Sequence, residues 1–260
     1  MQLLPEERIE TLNRSGLKII QNSAAPCFSL DALLLADFIK RHGPAADAPL
    51  RFADLGTGTG IIALLLAAYY PHSLGKGLEL MPQMAQMAGR SVALNGLEDR
   101  LQVVEGDLRN VARLSALAKG AFDLVCANPP YGRLGEGKVS ADPLMAAAKS
   151  EVHANLADCL HAAAYLLAPG GLFFLVHRPK RLAEALALCL EQGLAPRFLR
   201  MVQPFAEKEA NHFLLAAQKG GRKDLLVLPP LIVYGASGDY AAEAATILQH
   251  PFAEKEEDSV

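Results

Sequence analysis

Asn128-Pro129-Pro130-Tyr131 follows directly on Phe122-Asp123-Leu124-Val125-Cys126-Ala127, and this junction restricts the fold more than any other stretch. A short, mostly apolar run bounded by a turn signal reads as a buried parallel strand. Neither proline can donate a ladder hydrogen bond, and each fixes φ near about −65°. The chain must leave the sheet stiffly at the carboxyl end of a strand, where open α/β sheets place their ligands. Asn128 carries an acceptor and a donor on one amide. The Pro129 carbonyl adds an acceptor on a rigid frame, and Tyr131 a flat ring. That set suits a planar, hydrogen-bonding amine. Taken alone, a plain strand-exit turn accounts for the same residues, because Asn-Pro is a common turn signal.

A second strand end gives this turn its context. Leu50 to Leu55 reads as a strand, Gly56-Thr57-Gly58-Thr59-Gly60 as a glycine loop, and Ile61 to Tyr70 as a helix stopped by Pro71. Glycines let the backbone approach a ligand closely, and the helix start presents free N–H groups. The spacing is GxGxG rather than GxGxxG, and such a loop alone is a weak signal. Leu74 to Leu80 forms the next strand. Its Glu79 lies about 20 residues past the loop, the spacing at which a carboxylate can accept both ribose hydroxyls. NAD and S-adenosylmethionine both carry an adenosine ribose, so these features do not choose between them. A helix from Pro82 to Asn95 and a strand from Leu101 to Glu105 follow. Asp107 can then accept from an adenine amino group, cap a helix from Leu108 to Leu117, or do both.

Before the first confident strand, Gly16 to Gln21 reads as a short strand and Ser29 to Phe38 as a helix with Ser29 at its N-cap. That helix either covers a cofactor pocket or simply packs. Beyond Tyr131, the glycine-rich stretch from Gly132 to about Asp142, with Arg133 and Lys138, reads as a substrate-gripping lid. Met145 to Leu167 looks helical, Ala168-Pro169-Gly170-Gly171 is a sharp turn, and Leu172 to Val176 is a strand. Arg178-Pro179-Lys180-Arg181 opens a helix reaching Gln192. Pro196 to Gln203 and His212 to Ala217 follow one another as strands, which predicts an antiparallel edge. Leu225 to Tyr234 is a final strand pair or extension. Together these predict a doubly wound, Rossmann-like α/β sheet of seven strands, mostly parallel with an antiparallel edge. The expected organisation is an extension over the cofactor pocket (1–49), the main domain (50–218), and a carboxyl-terminal extension with an acidic tail (219–260).

A formal charge of −3 over 260 residues argues against gripping nucleic acid with the whole surface and leaves room for a local basic face. The longest apolar run, Ile61 to Tyr70, is too short to span a bilayer, and no secretory signal opens the sequence. Cysteines at 27, 126, 159 and 189, with no CxxC pair, fit reduced core residues and a reducing cytoplasm. The histidines show no metal-ligand spacing, so no metal is expected.

As an ordered set, Asp54-Leu55-Gly56-Thr57-Gly58-Thr59-Gly60, Glu79, Asp107 and Asn128-Pro129-Pro130-Tyr131 resemble the motifs of Class I S-adenosylmethionine-dependent methyltransferases that modify amino nitrogens. The resemblance spans roughly Leu50 to Ala217. A narrower one rests on Phe28-Ser29-Leu30-Asp31, Leu33-Leu34-Leu35-Ala36, Lys219-Gly220-Gly221-Arg222, Leu231-Ile232-Val233-Tyr234 and Gly238-Asp239-Tyr240. These are similar to the bacterial tRNA1(Val) adenine-N6-methyltransferases, which methylate the adenosine following the anticodon. The chain departs from that pattern at Gly132, at Ala148-Lys149-Ser150-Glu151 and at Ala241.

The resemblance implies S-adenosylmethionine as cofactor and tRNA as partner, met through its anticodon stem-loop, with no membrane; the sequence leaves the oligomeric state open between monomer and weak dimer. It implies catalytic roles for Asn128, Pro129, Pro130 and Tyr131, with Tyr131 stacked on an extruded adenine. Asp54 would lie near the cofactor's methionine part, Glu79 on its ribose and Asp107 on its adenine. Ser29, Asp31, Gly56, Thr57, Gly58, Gly60, Leu80, Leu108 and Asn128 complete that pocket. Arg133, Lys138, Arg178, Lys180, Arg181 and Arg222, with Lys219 and Lys223, are candidates for phosphate contacts. Rival readings are a protein-glutamine N5-methyltransferase of release-factor type, a DNA adenine methyltransferase, an NAD-binding oxidoreductase and a noncatalytic RNA-binding protein. A glutamine amide would suit the 128–131 turn equally, but fifty residues before the sheet leave little room for a substrate domain.

Overall fold

The computed structural model describes residues 3–12, 16–22, 30–131, 155–222 and 224–249. Ser29, Arg133, Lys138, Lys223, Cys27, the expected lid and the acidic tail lie outside the described residues.

The element order is β1 (Glu7–Leu12), β2 (Leu17–Asn22), α1 (Leu30–His42), β3 (Arg51–Leu55), α2 (Ile61–Tyr69), β4 (Leu74–Glu79), α3 (Pro82–Leu94) and β5 (Leu101–Glu105). Then come β6 (Phe122–Ala127), α4 (Leu156–Leu166), β7 (Leu167–His177), α5 (Leu182–Glu191), β8 (Leu194–Gln203), β9 (His212–Lys219), β10 (Leu226–Ile232) and α6 (Ala242–Gln249). Strand and helix alternate from β3 to β5 and again from β6 to β8 as the apolar runs predict, and β8, β9 and β10 then follow one another without a helix between them. The main sheet is ordered β10-β8-β9-β7-β6-β3-β4-β5. The mostly parallel, doubly wound class therefore holds. Eight strands rather than seven form the sheet, because β10 adds parallel to β8. Only β9 runs against the others, pairing antiparallel with both β7 and β8, so the reversed strand lies inside the sheet and not at its edge.

Alternate residues of the central strands enter two separate apolar layers, as a sheet covered on both faces requires. Phe52, Leu124, Cys126, Phe174 and Val176 face the layer built with α1, α2 and α6. Ala53, Val125, Ala127, Phe173 and Leu175 face the layer built with α4 and α5. The first layer runs without a break from Ala32 to Ile247, so α1 and α6 share one core with the sheet on both sides of the expected boundaries.

Local chemistry explains the element ends. In α1, Asp31 lies in the first turn and Lys40 and Arg41 in the last, each charge opposing the helix dipole. Pro82 opens α3, and Gly96, at φ 63°, closes it. Asn155 and Asp158 form a reciprocal capping box that starts α4 at Leu156; residues 145–154 of the expected helix lie outside the described residues. The Pro169-Gly170-Gly171 turn belongs to β7 itself. Two steps along β6, Phe122 to Leu124, oppose five along β7, Leu167 to Leu172, so the turn bulges from a strand that continues. The expected helix after Asp107 is a 3-10 turn, Leu108–Arg113.

β1 is absent from the sequence reading because its Glu7, Arg8 and Glu10 mask the alternation of a strand. It pairs antiparallel with β2, and the hairpin docks on α3. Ile20 packs with Met84 and Met87, Arg90 ion-pairs with Glu7, and Asn95 Oδ1 accepts from Lys18 N at 2.9 Å. No helix among the described residues is long and apolar enough to cross a membrane.

Candidate active site

Sheet register aligns the motifs before any side chain is considered. Leu55 pairs with Ala127 on one side and with Leu78 on the other, and Glu79 pairs with Glu105. Asn128, Gly56, Glu79 and Gly106 thus leave adjacent strands at one carboxyl edge. The strand order reverses between β3 and β6, which makes the Gly56–Asn128 crevice the ligand-binding position of such a sheet.

The glycine loop is fixed from below and open above. Gly56 N and Thr57 N donate to Leu78 O at 2.8 and 3.0 Å, and Gly60 N donates to Thr57 O at 2.9 Å. Gly56 and Gly58 take φ of 70° and 59°, which side chains disfavour. A Cβ on Gly56 would meet nothing within 4 Å, and one on Gly58 only Met84 Cε at 3.8 Å. Beneath the loop, Thr57 Oγ1 donates to Asp54 Oδ2 at 2.6 Å and Cys126 Sγ lies 3.5 Å from Asp54 Oδ1. Burial pushes the Asp54 carboxyl up to about 6 despite these donors.

Glu79 Oε2 accepts from Gly58 N at 2.8 Å, and Oε1 accepts from Met81 N at 2.9 Å. Burial raises its pKa against these backbone bonds. A carboxylate has about four lone-pair sites, so Glu79 fixes the loop and retains capacity for a ribose hydroxyl. The open glycine face, a buried carboxylate and a free strand end fit an adenosine-bearing cofactor. Leu80 and Leu108 are half-buried beside this edge. Asp107 caps the 3-10 turn through Arg109 N at 2.9 Å and is gripped by the Arg109 guanidinium at 2.6 Å. An adenine amino group must share Asp107 with Arg109, which the sequence reading did not single out.

Tyr131 ties three distant elements together. Its hydroxyl lies 2.7 Å from Asn128 Oδ1 and 2.9 Å from Asp31 Oδ2 of α1, within donating distance of both. Burial raises the phenol's pKa far above its ordinary value, so it stays protonated. Its ring meets His177 at 5.2 Å and His212 at 5.5 Å, while the Arg178 guanidinium covers the ring at 4.8 Å. His212 Nε2 stands 3.3 Å from Asp31 Oδ1. Burial first, and Arg178 after it, lowers the His212 pKa against the pull of Asp31. His177 is fully buried, and its Nδ1 accepts from Arg178 N at 2.8 Å, which places its proton on Nε2. Burial, then Arg181, holds its pKa down at about 4. Both shifts favour neutral rings near pH 7, while the Arg178 guanidinium over Tyr131 supplies a positive charge at the turn.

The structure brings together Asp31, Asp54, the glycine loop, Glu79, Asn128 and Tyr131. It adds His177 and His212, which lone histidines at strand ends did not signal in the sequence. Arg178 and Lys180 are exposed at the same edge. Arg181 is a correction: it is buried and forks onto Glu184 at 2.6 and 2.7 Å, so it is a structural ion pair and not a phosphate contact. Arg222 is another. Because β9 runs backwards from His212, Arg222 lies past its far end, roughly 25 Å from the Asn128 edge at the usual rise per residue. Lys219 at that end donates to Ala164 O and Leu167 O at 2.6 and 2.7 Å, closing α4. No group of acidic, histidine or cysteine side chains among the described residues is arranged to hold a metal.

Comparison with known proteins adds to this geometry. The family described as Methyltransferase small domain matches residues 32–195. A tRNA1(Val) (adenine(37)-N6)-methyltransferase of Porphyromonas gingivalis is 27% identical over 241 residues, covering 90% of this chain and 91% of the relative. A release factor glutamine methyltransferase of Deinococcus radiodurans is 36% identical over 136 residues, covering 50% of this chain and 46% of its own. The crystal structure described as a predicted O-methyltransferase from Agrobacterium tumefaciens superposes with a TM-score of 0.68 at 25% identity, covering 86% of this chain and 97% of that one.

Proposed function

The chain belongs to the methyltransferase small-domain family, and we propose that it transfers a methyl group from S-adenosylmethionine to the exocyclic N6 of an adenine in tRNA, at the adenosine 3′ of the anticodon. The observation that carries the reading is the Asn128–Tyr131–Asp31 network at the end of β6, one strand from the glycine loop. The full-length similarity to a tRNA adenine-N6-methyltransferase favours RNA over a protein substrate, since the glutamine-methylating relative matches only half the chain.

When bound, the cofactor supplies a methyl carbon made electrophilic by its sulfonium. The rest falls to this chain's residues. Glu79 would accept from the ribose beside the open glycine loop, and Asp54 beneath the loop would favour a cationic methionine part. Adenine N6 is a weak nucleophile because its lone pair is delocalised into the ring. Two acceptors on its N–H bonds would localise that pair, and the Asn128 amide oxygen with the Pro129 carbonyl are the candidates at this turn. Tyr131 has one proton for two neighbours. In the structure Asn128 Oδ1 faces the Tyr131 hydroxyl; with the phenol proton given to Asp31, a half-turn of the Asn128 amide would set its NH2 on the phenol oxygen and free Oδ1 for the incoming base. The buried His177 and His212 pack against the Tyr131 ring and hold it in place for the base.

Labelled methyl transfer to a purified tRNA pool tests this reading, beside a valine tRNA transcript with adenosine or guanosine after the anticodon. Label on the adenosine transcript alone is expected. Label on neither, with cofactor binding intact, rejects the tRNA assignment.

A further inference from the structure

An aromatic ladder unused by the site stands farther along the same carboxyl edge. The rings of Phe205 and Tyr234 lie 5.5 Å apart, and those of Tyr234 and Tyr240 lie 5.2 Å apart, tilted by only 21°. β10 runs parallel to β8, so Phe205, just past Gln203, and Tyr234, just past Ile232, both emerge on the Asn128 side of the sheet.

The backbone builds this ladder deliberately tightly. Tyr234 N donates to Pro204 O at 2.9 Å, pinning the β10 exit to the β8 exit. Gly235 N then donates to Asp239 O at 2.8 Å and Gly238 N to Gly235 O at 3.0 Å. Gly238 takes φ 88°, which a side chain would resist. This turn folds Tyr240 back onto Tyr234 as an isolated antiparallel bridge, closed by Ala241 N to Val233 O at 2.9 Å. Behind it, Glu243 of α6 grips Arg200 of β8 through two bonds of 2.7 and 2.6 Å. Despite this scaffold, Phe205 and Tyr240 remain 39% and 47% exposed. Rigid aromatic rings held in water mark a recognition surface.

The surrounding charge narrows the occupant. Glu207, Glu209 and Asp239 are exposed around the rings, against Lys208. Such a rim turns a strand's phosphates away, so a nucleotide can meet this surface through its base on the π faces and not through its backbone. We propose that Phe205, Tyr234 and Tyr240 form a stacking subsite for an unpaired nucleobase that neighbours the target in the RNA; this rests on the RNA reading above. Three strand spacings separate β6 from β8 and four separate it from β10, or roughly 14 and 19 Å at about 4.8 Å each. Those spans equal roughly four to six nucleotides of stacked strand at about 3.4 Å, and fewer of an extended one. The subsite therefore takes a different base of the same single-stranded loop, with Arg178 exposed between the two positions.

Base–aromatic stacking tolerates any base, so fluorescently labelled oligouridine, which has no adenine to methylate, is a direct probe. The full chain should bind it; Tyr240→Ala should weaken binding about tenfold, and Tyr240→Phe should stay within about twofold. The salt dependence should keep its slope, because no phosphate contact is lost. In methyl transfer, Tyr240→Ala should raise the KM for tRNA about tenfold with kcat, cofactor affinity and melting temperature unchanged. Phe205→Ala, a separate exposed ring, should act in the same direction. Parent-like oligouridine binding and tRNA KM in both variants would overturn the subsite while leaving the tRNA reading intact. A parent that methylates no tRNA overturns the tRNA reading instead, and the oligouridine comparison still decides the subsite. A protein captured through Tyr240 while oligouridine binding ignores the substitution would also overturn it.

Discussion

Tyr131→Phe separates the two jobs that one side chain performs at the active-site turn. The ring stays between His177, His212 and Arg178, and only the hydroxyl is lost. Two contacts vanish, at 2.9 Å to Asp31 and 2.7 Å to Asn128. A bond to a charged acceptor contributes about 1.5–3 kcal/mol and a neutral one about 0.5–1.5 kcal/mol. His212 remains beside Asp31 at 3.3 Å and compensates in part, so a net loss of about 2 kcal/mol is expected. For a chain of this size that lowers Tm by roughly 4–8 °C. The larger effect falls on catalysis. The phenol makes the hydrogen bond that holds the Asn128 amide among the described residues, and without it about 1.4–2.7 kcal/mol of positioning is lost in the transition state, or about 10- to 100-fold in kcat. The KM for tRNA should stay within about twofold, because the ring is kept. Steady-state methyl transfer with a thermal melt reads all three quantities. Unchanged kcat, or a loss confined to KM, would refute the positioning role.

Asn128→Ala should lower kcat by at least about 100-fold while cofactor affinity in equilibrium dialysis stays within about twofold; loss of both together would move Asn128 from the substrate to the cofactor. Glu79→Gln puts an amide NH2 where Gly58 N or Met81 N now donates, so cofactor affinity should fall at least about tenfold, and parent-like affinity would remove Glu79 from the pocket. His177 has a folded-state pKa of about 4, below its ordinary 6.5, so the unfolded chain binds a proton first as pH falls. Its contribution, about 3 kcal/mol at most, is present above pH about 6.5 and lost on descending to about 4. Asp54, raised to about 6, acts oppositely, gaining stability as pH falls from 6 toward 3.8. Denaturation of the parent and His177→Gln at several pH values isolates the histidine, and equal pH slopes would contradict its neutral burial.

What the sequence made legible is what the backbone dictates. Gly56, Gly58 and Gly60, the Pro129-Pro130 exit and the strand-end acids Glu79 and Asp107 mark places where only certain residues allow the chain to turn or a ligand to approach. Side-chain assembly across long separations was not legible. Asp31, Tyr131, His177 and His212 meet only because β7 and β9 pair in reverse and α1 covers their ends. Strand direction also decided the cations. Arg222 reads like Arg178 in the sequence, yet the reversed β9 carries it to the opposite edge. Arg181 looked free until α5 set Glu184 three residues along the same face. The β1 hairpin escaped notice because its charged residues face α3 and solvent, without an apolar alternation.

The central claim is that the Asn128–Tyr131 turn presents adenine N6 for methylation. Enzymatic digestion of methylated tRNA, followed by nucleoside mass spectrometry, tests it most directly. The account predicts N6-methyladenosine as the new nucleoside, present with the parent chain and lost with Asn128→Ala. Methyl recovered instead on a protein glutamine, on another nucleoside, or on N6 at undiminished rate with Asn128→Ala would contradict it.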